Sequence, residues 1–271
     1  MVASFDFVES VVLARIYTDA LRNAGIPVRL EASLGPRELV QPALRQGLVD
    51  VVPEYLGTAL EANDPRADVD PHDAAAVHEQ LATSLTRWHL QVLTPADAQN
   101  QNAFVVTRET ADRLSLHTVS DLGRLSRGAV LGGPAECPER PYCLLGLREV
   151  YGVRVRRFVA LDGQAQTLEA LTQGVVDVAV MFTTDGALGN SQLVALDDDR
   201  ALQPVENVAP VVSSRALARY GTRLVDALDT VDARLTTGIL RVLNWRVVFG
   251  GNRPAAEARG WLERQGLVAR R

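Results

Sequence analysis

The sequence predicts an α/β protein of two lobes with mostly parallel sheets. Three observations carry that prediction. The segment Ala43-Leu44-Arg45-Gln46-Gly47-Leu48-Val49-Asp50-Val51 returns 127 residues later as Ala170-Leu171-Thr172-Gln173-Gly174-Val175-Val176-Asp177-Val178. Each copy reads as a helix end, a glycine C-cap and a buried parallel strand. Short apolar strands alternate with helix-length segments, the βαβ rhythm of a parallel sheet. The length, 271 residues, accommodates two lobes of ordinary size.

The elements follow in order. Val8 to Asn23 carries apolar residues at helical spacing, namely Val11, Val12, Ala14, Ile16 and Leu21. Gly25 stops that helix, and Pro27 to Leu30 begins a strand. Gly35-Pro36-Arg37-Glu38 opens a second helix with proline near its first turn, and Gly47 ends it. Val49 to Val52 is a short apolar strand that Pro53 terminates. Glu61 to Asp73 is acidic and turn-like, a helix runs from about Ala74 to Trp88, and Leu90 to Leu93 is a strand. Ala103 to Thr107 is the next strand and makes the first crossing between lobes. In the second lobe Ser120 caps a helix, Ala129 to Leu131 is a strand, Gly146 to Tyr151 is helical, and Phe158 to Leu161 is a strand. After the second repeat copy, Leu193 to Leu196 is a strand and Val205 to Val212 returns the chain to the first lobe. The remainder reads as C-terminal helices, with Trp245 and Trp261 packing them onto that lobe. Two crossings make a clamp with a discontinuous first lobe, two connecting strands as the hinge, and closure around a ligand.

Composition narrows the function. A hydrophobic content of 47% with 23% charge is that of a soluble globular protein. No apolar run is long enough to span a bilayer. A net charge of −5 argues against a nucleic-acid partner, which needs a basic face. All 28 basic residues are arginine, which reads as a high-GC genome, because a need for bidentate anion contacts does not explain a chain-wide replacement of lysine.

Cys137 and Cys143 bracket five residues, two of them proline. This spacing suits a disulfide-closed loop worth roughly 2 kcal/mol and an oxidising compartment. A free thiol pair and a metal site are the competing readings. The metal site lacks further ligands, since His72, His78, His89 and His117 are scattered. Met1-Val2-Ala3-Ser4 runs directly into Phe5-Asp6-Phe7 without a signal-peptide pattern, so export requires a targeting segment outside this chain.

The repeat also places chemistry. Tyr55 follows the first strand and Phe182 the second, at equal offset. Open parallel sheets bind ligands at their carboxyl ends, so the two rings are expected to face each other across an opening. An aromatic wall of this kind holds a cation or a flat ring at ~0.5–2 kcal/mol per contact. The alternative makes both rings core aromatics. An enzyme reading finds no Gly-x-Ser-x-Gly elbow and no phosphate loop with lysine. Glu54 and Asp185 are the carboxylates it would use, and structural hydrogen bonds at strand ends explain them better.

Several motifs together resemble the substrate-binding proteins of ABC importers for glycine betaine, choline and related quaternary amines. They are Phe7-Val8-Glu9-Ser10, Asp50-Val51-Val52-Pro53-Glu54-Tyr55-Leu56-Gly57-Thr58, Gly132-Gly133-Pro134 with Arg140-Pro141, Gly146-Leu147 with Val150-Tyr151-Gly152, Thr184-Asp185-Gly186, and Asn207 with Ala209-Pro210-Val211-Val212. The resemblance covers nearly the whole chain. It implies a type II periplasmic-binding-protein-like fold, and the two crossings put residues 1–100 and 207–271 in lobe 1 and 101–206 in lobe 2. It also implies a trimethylammonium head in an aromatic box, with Tyr55 and Phe182 at box positions, Thr58 as a hydroxyl donor and Arg140 pairing with a ligand carboxylate. Asn102 and Thr183 are further candidate contacts.

Three departures stand out. No aromatic lies near Ala103, Glu206 stands where many relatives carry tyrosine, and Phe5 where many carry lysine. Phe5 then restores a wall, and Glu206 faces a cation or sits at the rim. The departures leave room for ring betaines such as ergothioneine and for uncharged aromatics. The expected partners are a small-molecule ligand and the membrane subunits of an ABC permease, for a monomer with no cofactor, no metal and no catalytic residues. The expected location is extracytoplasmic, periplasmic or lipoprotein-anchored. A ligand-sensing domain on the same scaffold is the reading from another class.

Overall fold

The computed structural model describes residues 1–125 and 128–269. The chain divides into two units, Met1–Gln99 together with everything from Val205 onward, and Asn100–Pro204. The strands are β1 (Val2–Phe5), β2 (Leu30–Gly35), β3 (Val51–Tyr55), β4 (Leu90–Val92), β5 (Asn102–Thr107), β6 (Val130–Gly133), β7 (Arg157–Ala160), β8 (Val178–Phe182), β9 (Leu193–Ala195) and β10 (Val208–Ser213).

Among the described residues each unit holds one five-stranded sheet, ordered β2-β1-β3-β10-β4 in the first and β7-β6-β8-β5-β9 in the second. In the first, β1 runs parallel to β2 and β3, while β10 is antiparallel to β3 and β4. In the second, β6 runs parallel to β7 and β8, while β5 is antiparallel to β8 and β9. The two sheets share one plan, with a single antiparallel strand in fourth place. The internal repeat lies within it. Gly47 and Gly174, each directly after a helix C-cap (Gln46 and Gln173), both take φ of +71°, a conformation that costs glycine little. β3 and β8 follow them and end on Tyr55 and Phe182.

The boundaries differ from expectation at several places, each for a physical reason. Pro53 does not end its strand. It stands opposite Pro210 in the β3–β10 ladder, with Val52 opposite Val211. Directly opposed residues of an antiparallel pair either exchange two hydrogen bonds or none, so two prolines share a position that asks for no N–H. The strand after Pro27 starts only at Leu30, where its register with Val2 begins. The acidic segment from Glu61 starts inside a helix, Leu56–Asn63. The element expected from Ser120 is a short 3₁₀ helix, Val119–Arg124, whose entry is held by Asp121 Oδ2 accepting from the Thr118 N–H at 3.0 Å. Glu206 belongs to the first unit and not the second. Its N–H reaches Gln99 Oε1 at 3.4 Å, and the preceding Val205 N–H donates to the Pro71 carbonyl at 2.9 Å.

The core of the first unit forms around the helix Val8–Asn23, where Leu13, Ile16 and Tyr17 are fully buried against strands and the C-terminal helices. The Tyr17 hydroxyl donates to Asp232 Oδ1 at 2.8 Å and so ties that helix to Thr222–Asp232. Ser213 and Thr236 cap the helices Ser214–Tyr220 and Thr237–Val248 by accepting from Ala216 and Ile239 N–H groups. Trp261 is buried as expected. Trp245 is not, being 44% exposed with its ring 4.5 Å from that of Phe249. Its helix turns Leu240, Leu243 and Asn244 inward and leaves Trp245 on the other face. Trp245→Ala should therefore change stability by about 1 kcal/mol or less, read as a urea midpoint. The second unit has its own core, including Phe104, Leu131, Leu147 and Val178.

Candidate functional site

In the first unit, candidate residues gather at the carboxyl ends of β1 and β3. β1 ends on Phe5, and Asp6-Phe7 leads into the helix from Val8. The Phe5 N–H donates to Ser10 Oγ at 3.0 Å, which fixes this turn. The Phe5 and Phe7 rings lie parallel within 7°, with centroids 5.9 Å apart. Tyr55 continues the row, its centroid 6.1 Å from that of Phe7. Phe5 and Tyr55 are buried, at 3% and 5% exposure, and Phe7 is 40% exposed. The accessible face of this aromatic row therefore belongs to Phe7, with Phe5 and Tyr55 backing it. The Tyr55 hydroxyl donates to Glu9 Oε1 at 2.8 Å, and Asn244 Nδ2 donates to Glu9 Oε2 at 2.7 Å.

A polar chain adjoins the rings. The Arg37 guanidinium lies 5.0 Å from the Phe5 centroid, donates to Glu54 Oε2 at 2.6 Å and to Thr58 Oγ1 at 3.0 Å. The Thr58 N–H donates to Glu206 Oε1 at 3.0 Å. Glu54 and Glu206 are both buried, and the one guanidinium among them is paired with Glu54. Burial pushes the Glu206 carboxyl up to about 8, against the Thr58 N–H and Arg37, which favour its ionised form, and with repulsion from Glu54 adding to the rise.

In the second unit, Phe182 ends β8 at the place Tyr55 holds in β3, and is 38% exposed. Its N–H donates to Asp185 Oδ2 at 3.0 Å, and the Asp185 N–H returns to the Phe182 carbonyl at 2.8 Å, so Asp185 does structural work at the strand end. Asn102 is the register partner of Phe182. Thr183 is bonded to Gln101 twice, its N–H to the carbonyl at 2.8 Å and its Oγ1 accepting from the Gln101 N–H at 3.0 Å. Asn102 Nδ2 donates to the Tyr142 carbonyl at 3.1 Å, within the loop that carries Arg140. Cys137 and Cys143 are joined in a disulfide that closes this loop, and the Arg140 side chain is exposed.

Sequence reasoning assigned no role to Phe7, Glu9 or Arg37. Phe7 and Glu9 belong to the segment Phe7-Val8-Glu9-Ser10 and Arg37 to a helix start, but the ring row and the Arg37 contacts exist only once β1, β3 and their helices are assembled. A cavity of about 320 Å³ in the first unit lies at the opposite, amino-terminal ends of β1 and β3, against Met1, Asp50 and Arg215. None of the candidate residues lines it. Among the described residues no group of three His, Cys, Asp or Glu side chains is placed to hold a metal, and no helix is long and apolar enough to cross a membrane.

Two mixed α/β units on one strand plan, each ending its third strand on an aromatic, accord with the class of ABC-importer substrate-binding proteins, which the family match establishes. Residues 1–264 match the profile described as the substrate-binding domain of the ABC-type glycine betaine transport system, OpuAC, and the chain belongs to that family. Such proteins bind small ligands, work with permease subunits and act outside the cytoplasm. The family is one of transport proteins, not enzymes. The chain is similar to the glycine betaine-binding protein YehZ of Escherichia coli strain K12, 28% identical over 269 residues, which are 95% of this chain and 88% of that protein. The solved structure of apo YehZ superposes with a TM-score of 0.78 at 26% identity over 98% of both chains. The ergothioneine transport permease/ergothioneine binding protein EgtU of Helicobacter pylori strain G27 is 23% identical over 96% of this chain and 46% of that protein.

Proposed function

We propose that this chain captures a small quaternary-ammonium or betaine-like compound and delivers it to its permease as a monomer, periplasmic or held by a lipid anchor. The observation that supports this most is the row of three rings with Phe7 half exposed at the carboxyl end of β1. Quaternary ammonium binds aromatic faces through the ring quadrupole, and parallel sheets present ligand sites at that end. In the first unit Phe7 offers its face to the cationic head, Phe5 and Tyr55 back it, and Thr58 and Glu206 adjoin the row. Asn102, Arg140, Phe182 and Thr183 are the candidate contacts of the second unit, with Arg140 taking a carboxylate where the ligand has one. Calorimetry against choline, glycine betaine, carnitine and ergothioneine tests the ligand class. Binding of at least one supports it, and failure of all four removes it.

Ring-bearing betaines are the second reading. What favours them is a buried carboxylate, Glu206, beside the ring row, and the similarity to EgtU. A tighter constant for ergothioneine than for glycine betaine would decide for it. Arg140→Ala should weaken glycine betaine by about tenfold and leave choline nearly unchanged, since a charge-assisted bidentate contact is lost with one ligand only. Equal losses for both ligands would assign Arg140 to the scaffold.

A further inference from the structure

The main chain of Arg140 is hydrogen-bonded to the main chain of both cysteines that the bridge joins. The Arg140 N–H donates to the Cys137 carbonyl at 3.3 Å, and the Cys143 N–H donates to the Arg140 carbonyl at 3.2 Å. Both polar groups of the Arg140 backbone are thus taken by the two cysteines of the disulfide. Both cysteines are buried in the core of the second unit, with Leu147 and Leu202. Two residues on, the Tyr142 carbonyl accepts from Asn102 Nδ2 at 3.1 Å and Gln203 Nε2 at 2.9 Å, which fastens the loop to β5 and to the segment leaving the unit. The Arg140 side chain itself is exposed, so the backbone sets where its guanidinium starts.

We propose that the Cys137–Cys143 bridge positions Arg140, so that capture of a carboxylate-bearing ligand requires the oxidised loop while capture of a cation without a carboxylate does not. This rests on the reading of Arg140 as the carboxylate contact. Reduction by dithiothreitol transfers two electrons and two protons to the bridge, giving two thiols and the cyclic disulfide of the reagent. The loop then keeps the Tyr142 anchors but loses the covalent link that holds Cys137 and Cys143 on either side of Arg140. A guanidinium started from a wandering backbone loses much of its bidentate contact. The chain has two cysteines, so the reductant has one target.

The test is calorimetry with glycine betaine and with choline on three samples: oxidised protein, protein reduced by dithiothreitol, and the Cys137→Ser/Cys143→Ser double variant. Circular dichroism melts verify that each sample is folded at the working temperature. Reduction of the wild type supplies the comparison should the double variant fold poorly. Glycine betaine should weaken by about five- to tenfold on loss of the bridge, choline by less than about twofold, and reoxidation should restore the first. Unchanged glycine betaine affinity in reduced protein, with Arg140→Ala still weakening it, overturns the positioning role and leaves the carboxylate reading standing. No effect of Arg140→Ala on either ligand overturns both. Equal loss of the two ligands on reduction also overturns the proposal, because it marks the bridge as general scaffold.

Discussion

Tyr55→Ala is expected to weaken ligand binding by at least about tenfold and to destabilise the protein by about 3 kcal/mol. The two effects have separate causes. Tyr55 is buried at the end of β3, so truncating it leaves a cavity against Phe7 and removes the hydroxyl that donates to Glu9. The affinity loss follows from the ring row, since Phe7 no longer has a ring behind it and the cation loses part of its aromatic wall. Tyr55→Phe separates them. It keeps the ring and gives up one hydrogen bond to a carboxylate, so stability should fall by about 1–3 kcal/mol while the dissociation constant moves by less than about threefold. Calorimetry at a temperature where all three proteins are folded reads the affinities, and urea midpoints read the stabilities. A dissociation constant unchanged in Tyr55→Ala would take Tyr55 out of the ligand wall.

Glu206→Gln should remove a pH dependence of stability that the wild type carries. Burial raises the Glu206 carboxyl from an ordinary 4.5 to about 8 in the folded chain. Between those two values the folded protein holds a proton that the unfolded chain has released. Stability contributed by this group is therefore complete below about pH 4.5, declines as pH rises, and is lost above about pH 8. The loss is on the order of a few kcal/mol. Glutamine keeps an oxygen for the Thr58 N–H and cannot ionise, so denaturation midpoints of variant and wild type should be close at pH 5. By pH 9 the variant should be the more stable. Asp232, also buried and raised by burial, is common to both proteins and cancels in the difference. Parallel midpoints from pH 5 to pH 9 would show that Glu206 is solvated or already ionised in the folded state.

The repeat made much of the architecture legible. A helix end, a left-handed glycine and a valine-rich run are local signals, and they locate β3 and β8 together with Tyr55 and Phe182. The helix Val8–Asn23 was read to its ends because its apolar spacing is long and regular. β1 carries no such signal. Four residues, Val2–Phe5, become a strand only because β2 and β3 flank them, and the position of Phe7 depends on that strand. The helix Arg108–Leu114 was not anticipated, since among its residues Ala111 alone is buried and its cap, Thr107, is also the last residue of β5. Pro53 misled because the residue that makes it harmless, Pro210, is remote in sequence. At the candidate site, residue types were readable and their environments were not. A glutamate at 206 says nothing of its burial, and an arginine at 37 says nothing of the phenylalanine ring beside it.

The order of strands has a consequence for synthesis. All five strands of the second unit lie within Asn100–Pro204, so a ribosome releases everything that sheet needs in one stretch. The first unit is in a different position, because β10 sits between β3 and β4 and leaves the tunnel last. Until Val208–Ser213 emerges, two strand flanks of a largely translated nascent chain stand open to pairing with neighbours. The inserted unit can mature while its host waits, and the waiting interval is when a chaperone has most to protect.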